Sequence, residues 1–70
     1  MIDVKIKTKD IKLDSFLKWA NLVMTGGEAK YLIKEGKVKV NGEIEYRRSH
    51  HIKKDDIVKI SNNDNEYRVK

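Results

Sequence analysis

The sequence predicts an α+β domain: two packed short helices against a small, mostly antiparallel sheet with an added N-terminal strand. Three observations carry this. Apolar residues recur at helical spacing over 12–23 and again over 25–35. Apolar and charged residues alternate at 2–6, 37–46 and 57–69. Turn-forming residues, among them Gly36, Asn41-Gly42 and Ser61-Asn62-Asn63-Asp64-Asn65, separate these stretches.

Taken in order, Ile2, Val4 and Ile6 alternate with Asp3, Lys5 and Lys7, as in a half-buried strand that pairs within the C-terminal sheet. Thr8-Lys9-Asp10 ends it, with Asp10 or a neighbour capping the next element. A first helix is expected from about Lys12 to Val23. Leu13, Phe16, Leu17, Ala20 and Met24 form its buried face, Lys18 lies opposite, and Trp19 sits half-exposed at the rim. Thr25 and Glu28 have the spacing of a capping box opening a second helix. Its buried stripe is Ala29, Leu32 and Ile33, and Gly36 ends it. Lys37-Val38-Lys39-Val40 is a strand, Asn41-Gly42 a turn, and Ile44 and Tyr46 the return. Placing Val40 and Ile44 on one inner face requires a connection slightly longer than two residues, because a two-residue loop sets Val40 opposite Glu43. Arg47-Arg48-Ser49-His50-His51 is a polar connection. A turn at Lys54-Asp55-Asp56 leads to a strand with Val58 and Ile60, and Tyr67 and Val69 form the last.

Composition bounds the function. Seventy residues make one domain, 1–70, which buries only about 60% of the surface of its unfolded chain. Apolar residues at 39% supply one modest core and no internal substrate cavity, so no small-molecule substrate is expected. No run approaches the roughly 18 apolar residues of a membrane span, and the first residues carry no signal-peptide pattern. Zero cysteines are compatible with a reducing cytoplasm, where the protein is expected to reside. The net charge of +5, from 16 basic and 11 acidic residues, suits a nucleic acid or anionic surface, and equally serves solubility.

The placement of charge is more informative. Lys30 and Lys34 share one side of the second helix, Lys37 and Lys39 continue the stripe, Lys18 joins it from the first helix, and Lys12 adds further charge. Glu28 and Glu35 project about a quarter-turn or more away from these lysines. Thr25-Gly26-Gly27 leaves helix-start N–H groups uncovered, which suits an anion, or else it is a tight turn needing glycine for its backbone angles. Arg47 and Arg48 suit a phosphate clamp, base stacking or a solvated loop. Tyr31, beside the lysines, is the best candidate for stacking on a base, ahead of Trp19 and Tyr46. Asn41 suits either RNA contact or the turn itself. No metal or cofactor is expected: His50 and His51 are adjacent and point apart, with no third ligand, and Asp55-Asp56 reads as a turn. No nucleophile–base set is present, so an enzyme is not expected.

Several of these segments resemble the S4 RNA-binding domain, or αL motif. They are Lys12-Leu13-Asp14-Ser15-Phe16-Leu17, Thr25-Gly26-Gly27-Glu28-Ala29-Lys30, Ile33-Lys34-Glu35-Gly36-Lys37-Val38-Lys39-Val40-Asn41-Gly42, and Ile52 to Ile60. The resemblance covers about residues 11–60. With the Arg47-Arg48 pair, the Gly-Gly variant and the extra strand, it looks like the small stand-alone bacterial branch of that family, the YaaA/YbcJ type. Gly26 stands where most members have an arginine, and Lys54-Asp55-Asp56 where Pro-Gly-Asp is common. The Gly26 and Gly27 amides with Lys30 are expected to replace that arginine. The resemblance implies a non-enzymatic protein binding structured RNA, ribosomal RNA or a ribosomal particle, with a ribosome-associated or assembly role. The expected contacts are Lys12, Lys18, Thr25, Gly26, Gly27, Lys30, Tyr31, Lys34, Lys37, Lys39, Asn41, Arg47 and Arg48. The alternative is a protein-interaction module docking on a ribosomal protein or an RNA-modifying enzyme through an apolar patch around Trp19 and Leu22.

Overall fold

Apolar side chains spaced three and four apart in 13–17 and 29–33, and two apart in 38–40, 58–60 and 67–69, must reach one shared interior. The computed structural model, which describes all 70 residues, shows how they do. The elements are β1 (Ile2–Val4), β2 (Asp10–Lys12), α1 (Leu13–Trp19), α2 (Gly26–Lys34), β3 (Val38–Val40), β4 (Glu43–Ile44), β5 (His51–Lys53), β6 (Ile57–Ile60) and β7 (Glu66–Val69). A five-stranded sheet runs β1-β7-β6-β3-β4, and β2 pairs with β5 in a separate two-stranded sheet. Only β1, against β7, is parallel. Leu13, Phe16, Leu17, Ala29 and Ile33 from the helices join Val38, Val40, Val58, Ile60, Tyr67 and Val69 from the sheet in one core, with no buried polar residue.

The N-terminal strand therefore joins the C-terminal sheet as expected, with Ile2 opposite Tyr67. Four details differ from the sequence reading. First, α1 ends at Trp19. Asn21 takes a left-handed φ of 60°, its N–H reaches the Lys18 carbonyl at 3.0 Å, and the Leu22 N–H reaches Leu17 at 2.9 Å. This is the glycine-type helix stop, made by an asparagine. The chain turns there, so Val23 is buried and Met24 is 88% exposed, the reverse of the helical wheel. Second, Asp10 does not cap α1. It lies in β2 and bonds His51 at 2.9 Å, while the helix start is held by backbone: Leu13 N–H to His50 at 2.8 Å and Asp14 N–H to Arg48 at 3.1 Å.

Third, the "polar connection" after Tyr46 feeds β5, which lays Ile52 opposite Ile11 and buries it completely. Fourth, the β3–β4 loop has two residues. Asn41 and Gly42 have φ of 53° and 87°, the left-handed pair a two-residue turn needs, so Val40 faces Glu43 and Ile44 faces Lys39 on the outside. The turn overrides the apolar pattern because the Asn41 side chain pins it. Its amide accepts from the Ile57 N–H at 2.9 Å and donates to Asp56 at 3.0 Å.

Candidate nucleic-acid interface

Helix α2 begins where Thr25, in extended backbone, accepts the Glu28 N–H on its hydroxyl at 3.1 Å. Glu28 returns the bond one residue further back than a standard capping box, accepting the Met24 N–H at 2.9 Å. That leaves the N–H groups of Gly26 and Gly27 without a protein acceptor. Neither glycine has a positive φ, and a Cβ at Gly26 would meet nothing within 4 Å, at Gly27 only the Thr25 hydroxyl at 3.9 Å. The fold does not require glycine at either position, so a tight turn does not explain them. What the pair provides is unobstructed approach to helix-start donors. Further along the helix, Lys30, Tyr31 and Lys34 are exposed, Tyr31 by 58%. Leu32 is only partly buried, so Ala29 and Ile33 carry the helix contact.

Gly36 ends α2 with φ of 74°, and the Lys37 N–H closes on the Leu32 carbonyl at 3.0 Å. The chain then enters β3 with Val38 and Val40 inward, which directs Lys37 and Lys39 to the face away from the helices. The lysines expected as one stripe thus occupy two surfaces, one on α2 and one on the outer sheet face. On the outer face the register adds two residues that the sequence did not single out: Lys59 directly opposite Lys39, and Ser61, whose N–H bonds the Lys37 carbonyl at 2.9 Å. Gly36, Lys37, Lys39, Lys59 and Ser61 line a depression of about 180 Å³ with no apolar side chain in its wall. Alternation in 57–60 did show Lys59 facing outward; only strand pairing shows which lysine it meets.

The remaining candidates separate clearly. Lys12 is exposed at the entry to α1, and the Arg48 carbonyl is held against the first turn of that helix, so the two share its N-terminal end. Lys18 is exposed in its last turn. Arg47 is not free: its guanidinium grips Glu45 at 3.0 and 3.2 Å, with His50 beside it. That grip, reinforced by the Arg47 backbone N–H and opposed by desolvation, pulls the Glu45 carboxyl down to about 2. Asn41 spends both ends of its amide on the turn, so its role in the structure is structural. His50 and His51 lean on Glu45 and Asp10, and no cluster of metal-binding side chains occurs. Trp19 is 45% exposed, as a rim residue should be. Its indole N–H donates to the Lys5 carbonyl at 2.8 Å and the Lys7 ammonium stands 5.6 Å from its ring. Leu22 is half-buried against the core, while Met24 close by in the chain is exposed.

All four ion pairs in the structure use arginine or histidine; no lysine is in one. Glu28 and Glu35, which project away from the lysines, form no ion pair with them. No helix is long and apolar enough to cross a membrane.

Comparison with known proteins agrees with this architecture. The probable ribosome maturation protein RlbA of Bacillus subtilis (strain 168) is 39% identical over 57 residues, covering 81% of this chain and 80% of its own. The crystal structure of a pseudouridylate synthase superposes with a TM-score of 0.67 at 31% identity, over 73% of this chain and 22% of the other. The 30S ribosomal protein S4e from Thermoplasma acidophilum superposes with a TM-score of 0.71 at 24% identity, over 89% of this chain and 32% of the other, a likeness of fold. The chain thus spans a third or less of those two longer proteins. Residues 4–70 match the S4 domain, and with that match the protein belongs to the S4-domain family.

Proposed function

We propose that this protein binds structured RNA, ribosomal RNA in particular, through a basic face on helix two and the following hairpin, without catalysis. Family membership and a relative named as a ribosome maturation protein support an RNA-binding, ribosome-associated role. The observation that carries the reading is that Lys12, Lys18, Lys30, Lys34, Lys37 and Lys39 are all exposed and none is ion-paired. Unpaired ammonium groups on rigid elements exchange condensed counterions for phosphates, which is the main source of affinity for a nucleic-acid backbone. The open Gly26 and Gly27 amides add two donors at the positive end of α2, beside Lys30. Arg48 contributes from the α1 entry, and Tyr31 offers a ring among the lysines. Contacts of this kind read the shape of RNA more than its sequence.

The test is affinity for folded ribosomal RNA hairpins at two salt concentrations, for wild type and Lys30→Glu/Lys34→Glu. Wild-type binding should weaken steeply with salt, and the variant should bind at least tenfold more weakly with a shallower salt dependence. Salt-insensitive binding, or a variant indistinguishable from wild type, would overturn the reading and favour a protein-docking module.

A further inference from the structure

The outer face of the five-stranded sheet has its own order. Facing outward along one row are Ile44, Lys39, Lys59 and Glu66, set opposite one another by the pairings β4–β3–β6–β7. The next row toward α2 holds Lys37 and Ser61, joined by the Ser61 N–H to the Lys37 carbonyl. Tyr46 follows two residues after Ile44 on the same side, and the Glu45 N–H to the Val38 carbonyl at 3.0 Å keeps that segment alongside β3. The Tyr46 ring lies across Gly36, its atoms 3.1 to 3.5 Å from where a Cβ would stand, yet Tyr46 remains 64% exposed. Gly36 is also in the wall of the lysine-lined depression. Gly36 thus carries an aromatic ring and also lines a pocket walled by three ammonium-bearing side chains.

The Lys39–Lys59 pair is the informative part. Like charges directly opposite on neighbouring strands are destabilising. Elsewhere this sheet pairs charges correctly: Asp3 stands opposite Arg68, and the two meet at 3.0 Å. Glu66, on the far side of Lys59, forms no ion pair with it; the Lys59 ammonium instead donates to the Asn63 carbonyl in the β6–β7 turn. Two like-charged side chains kept opposite one another in the wall of this depression would be relieved by an anion bound between them.

We propose that the outer sheet face is a second RNA site, for single-stranded RNA: a backbone phosphate sits in the Lys37–Lys39–Lys59–Ser61 depression and an adjacent base stacks on Tyr46. The proposal rests on the RNA-binding reading for its class of partner, and it gives Lys37 and Lys39, which lie on the outer sheet face, to this site. Phosphate and base are both needed. Three lysines alone describe any polyanion, whereas an exposed ring fixed beside them selects a strand whose bases are unstacked. The α2 surface ends at Lys34, and this one begins at Lys37.

The test uses two probes, an eight-nucleotide oligouridylate and a blunt RNA hairpin, with wild type, Lys39→Gln/Lys59→Gln, Tyr46→Ser, Tyr46→Phe, Lys30→Glu/Lys34→Glu and the control Lys54→Gln. Oligouridylate affinity should drop about tenfold or more in Lys39→Gln/Lys59→Gln, with a salt slope smaller by about 1.4. It should drop about tenfold in Tyr46→Ser and persist in Tyr46→Phe and Lys54→Gln. Amide resonances of wild type provide a readout free of folding artefacts: oligouridylate should shift Lys37, Lys39, Lys59 and Ser61 more than Gly26 to Lys34. No oligouridylate binding at low salt would overturn this proposal. So would binding lost only in Lys30→Glu/Lys34→Glu, or resonance shifts confined to α2. Failure of the hairpin to bind wild type would instead count against the α2 reading, which the oligouridylate result does not decide.

Discussion

On the inner face of the five-stranded sheet, Val38, Val40, Val58, Ile60, Tyr67 and Val69 meet Leu13, Phe16, Leu17, Ala29 and Ile33, and nothing polar is buried with them. On the outer face of the same strands, Lys39 stands opposite Lys59, and Ile44 and Tyr46 lie in solvent beside them. The inner face is arranged as burial requires. The outer face contains an opposition of charge and two exposed apolar groups that folding does not require. In a domain of 70 residues, whose whole stability is on the order of 5 kcal/mol, such a departure is not free. The contrast sets the packing that stabilises the domain on one side of these strands and the proposed binding on the other, so substitutions should separate them.

The strongest way to break that contrast is in the core. Phe16 is fully buried between the helices and the sheet. Phe16→Ala should cost about 3–5 kcal/mol, the transfer of the ring plus the cavity it leaves, and so consume most of the domain's stability. Circular dichroism melting should show a largely unfolded chain at physiological temperature. A loss below about 1 kcal/mol would mean that the helices are not held by this core.

A smaller effect is expected where the two faces are joined at the hairpin. Asn41→Ala removes a bond to the Ile57 N–H and one to Asp56, and places alanine at φ of 53°. The expected loss is about 1–3 kcal/mol in urea denaturation. Asn41→Gly, which accepts the backbone angle but not the hydrogen bonds, should lose less. Equal losses would show that the side-chain bonds alone set the turn.

Asn41 also marks how far the sequence could be read. Asn-Gly announced a turn, but the alternation of Val40 with Ile44 argued for a longer loop, and the two signals conflicted. The bonds from Asn41 across to β6 settled the conflict, and such contacts, 15 and 16 residues away, have no local signature. Asn21 misled in a related way: it sits within a good helical wheel, and only its left-handed φ shows that the wheel stops at Trp19. By contrast, Thr25 with Glu28, Gly36, and the faces of α2 and β3 were legible because capping and periodicity act within a few residues. The small β2–β5 sheet was not, since Ile11 and Ile52 are strands only in each other's presence. The candidate site divides on the same line. The exposed lysines were readable one by one; the meeting of Lys39 with Lys59 and the capture of Arg47 by Glu45 depend on register and on loop geometry.

The smallest effect gives the sharpest comparison, because its sign is the reverse of the usual one. If Lys39 and Lys59 repel in the free protein, Lys39→Glu should stabilise it, converting an unfavourable cross-strand pair to a favourable one. The gain is a few tenths to about 1 kcal/mol, or a few degrees in Tm. Lys59→Glu should do the same, and Lys39→Glu/Lys59→Glu, which restores like charges, should return to near the wild-type value. Such a cycle isolates the pair from the propensity of either position. Because both side chains reach solvent, the differences should shrink as salt is raised. Three variants with equal melting temperatures would show that the two ammonium groups already avoid each other, and the opposition would then explain nothing about the outer face. A stabilised single variant that has also lost oligouridylate binding would show instead that the repulsion persists at a cost to folding, in a position where only a bound anion relieves it.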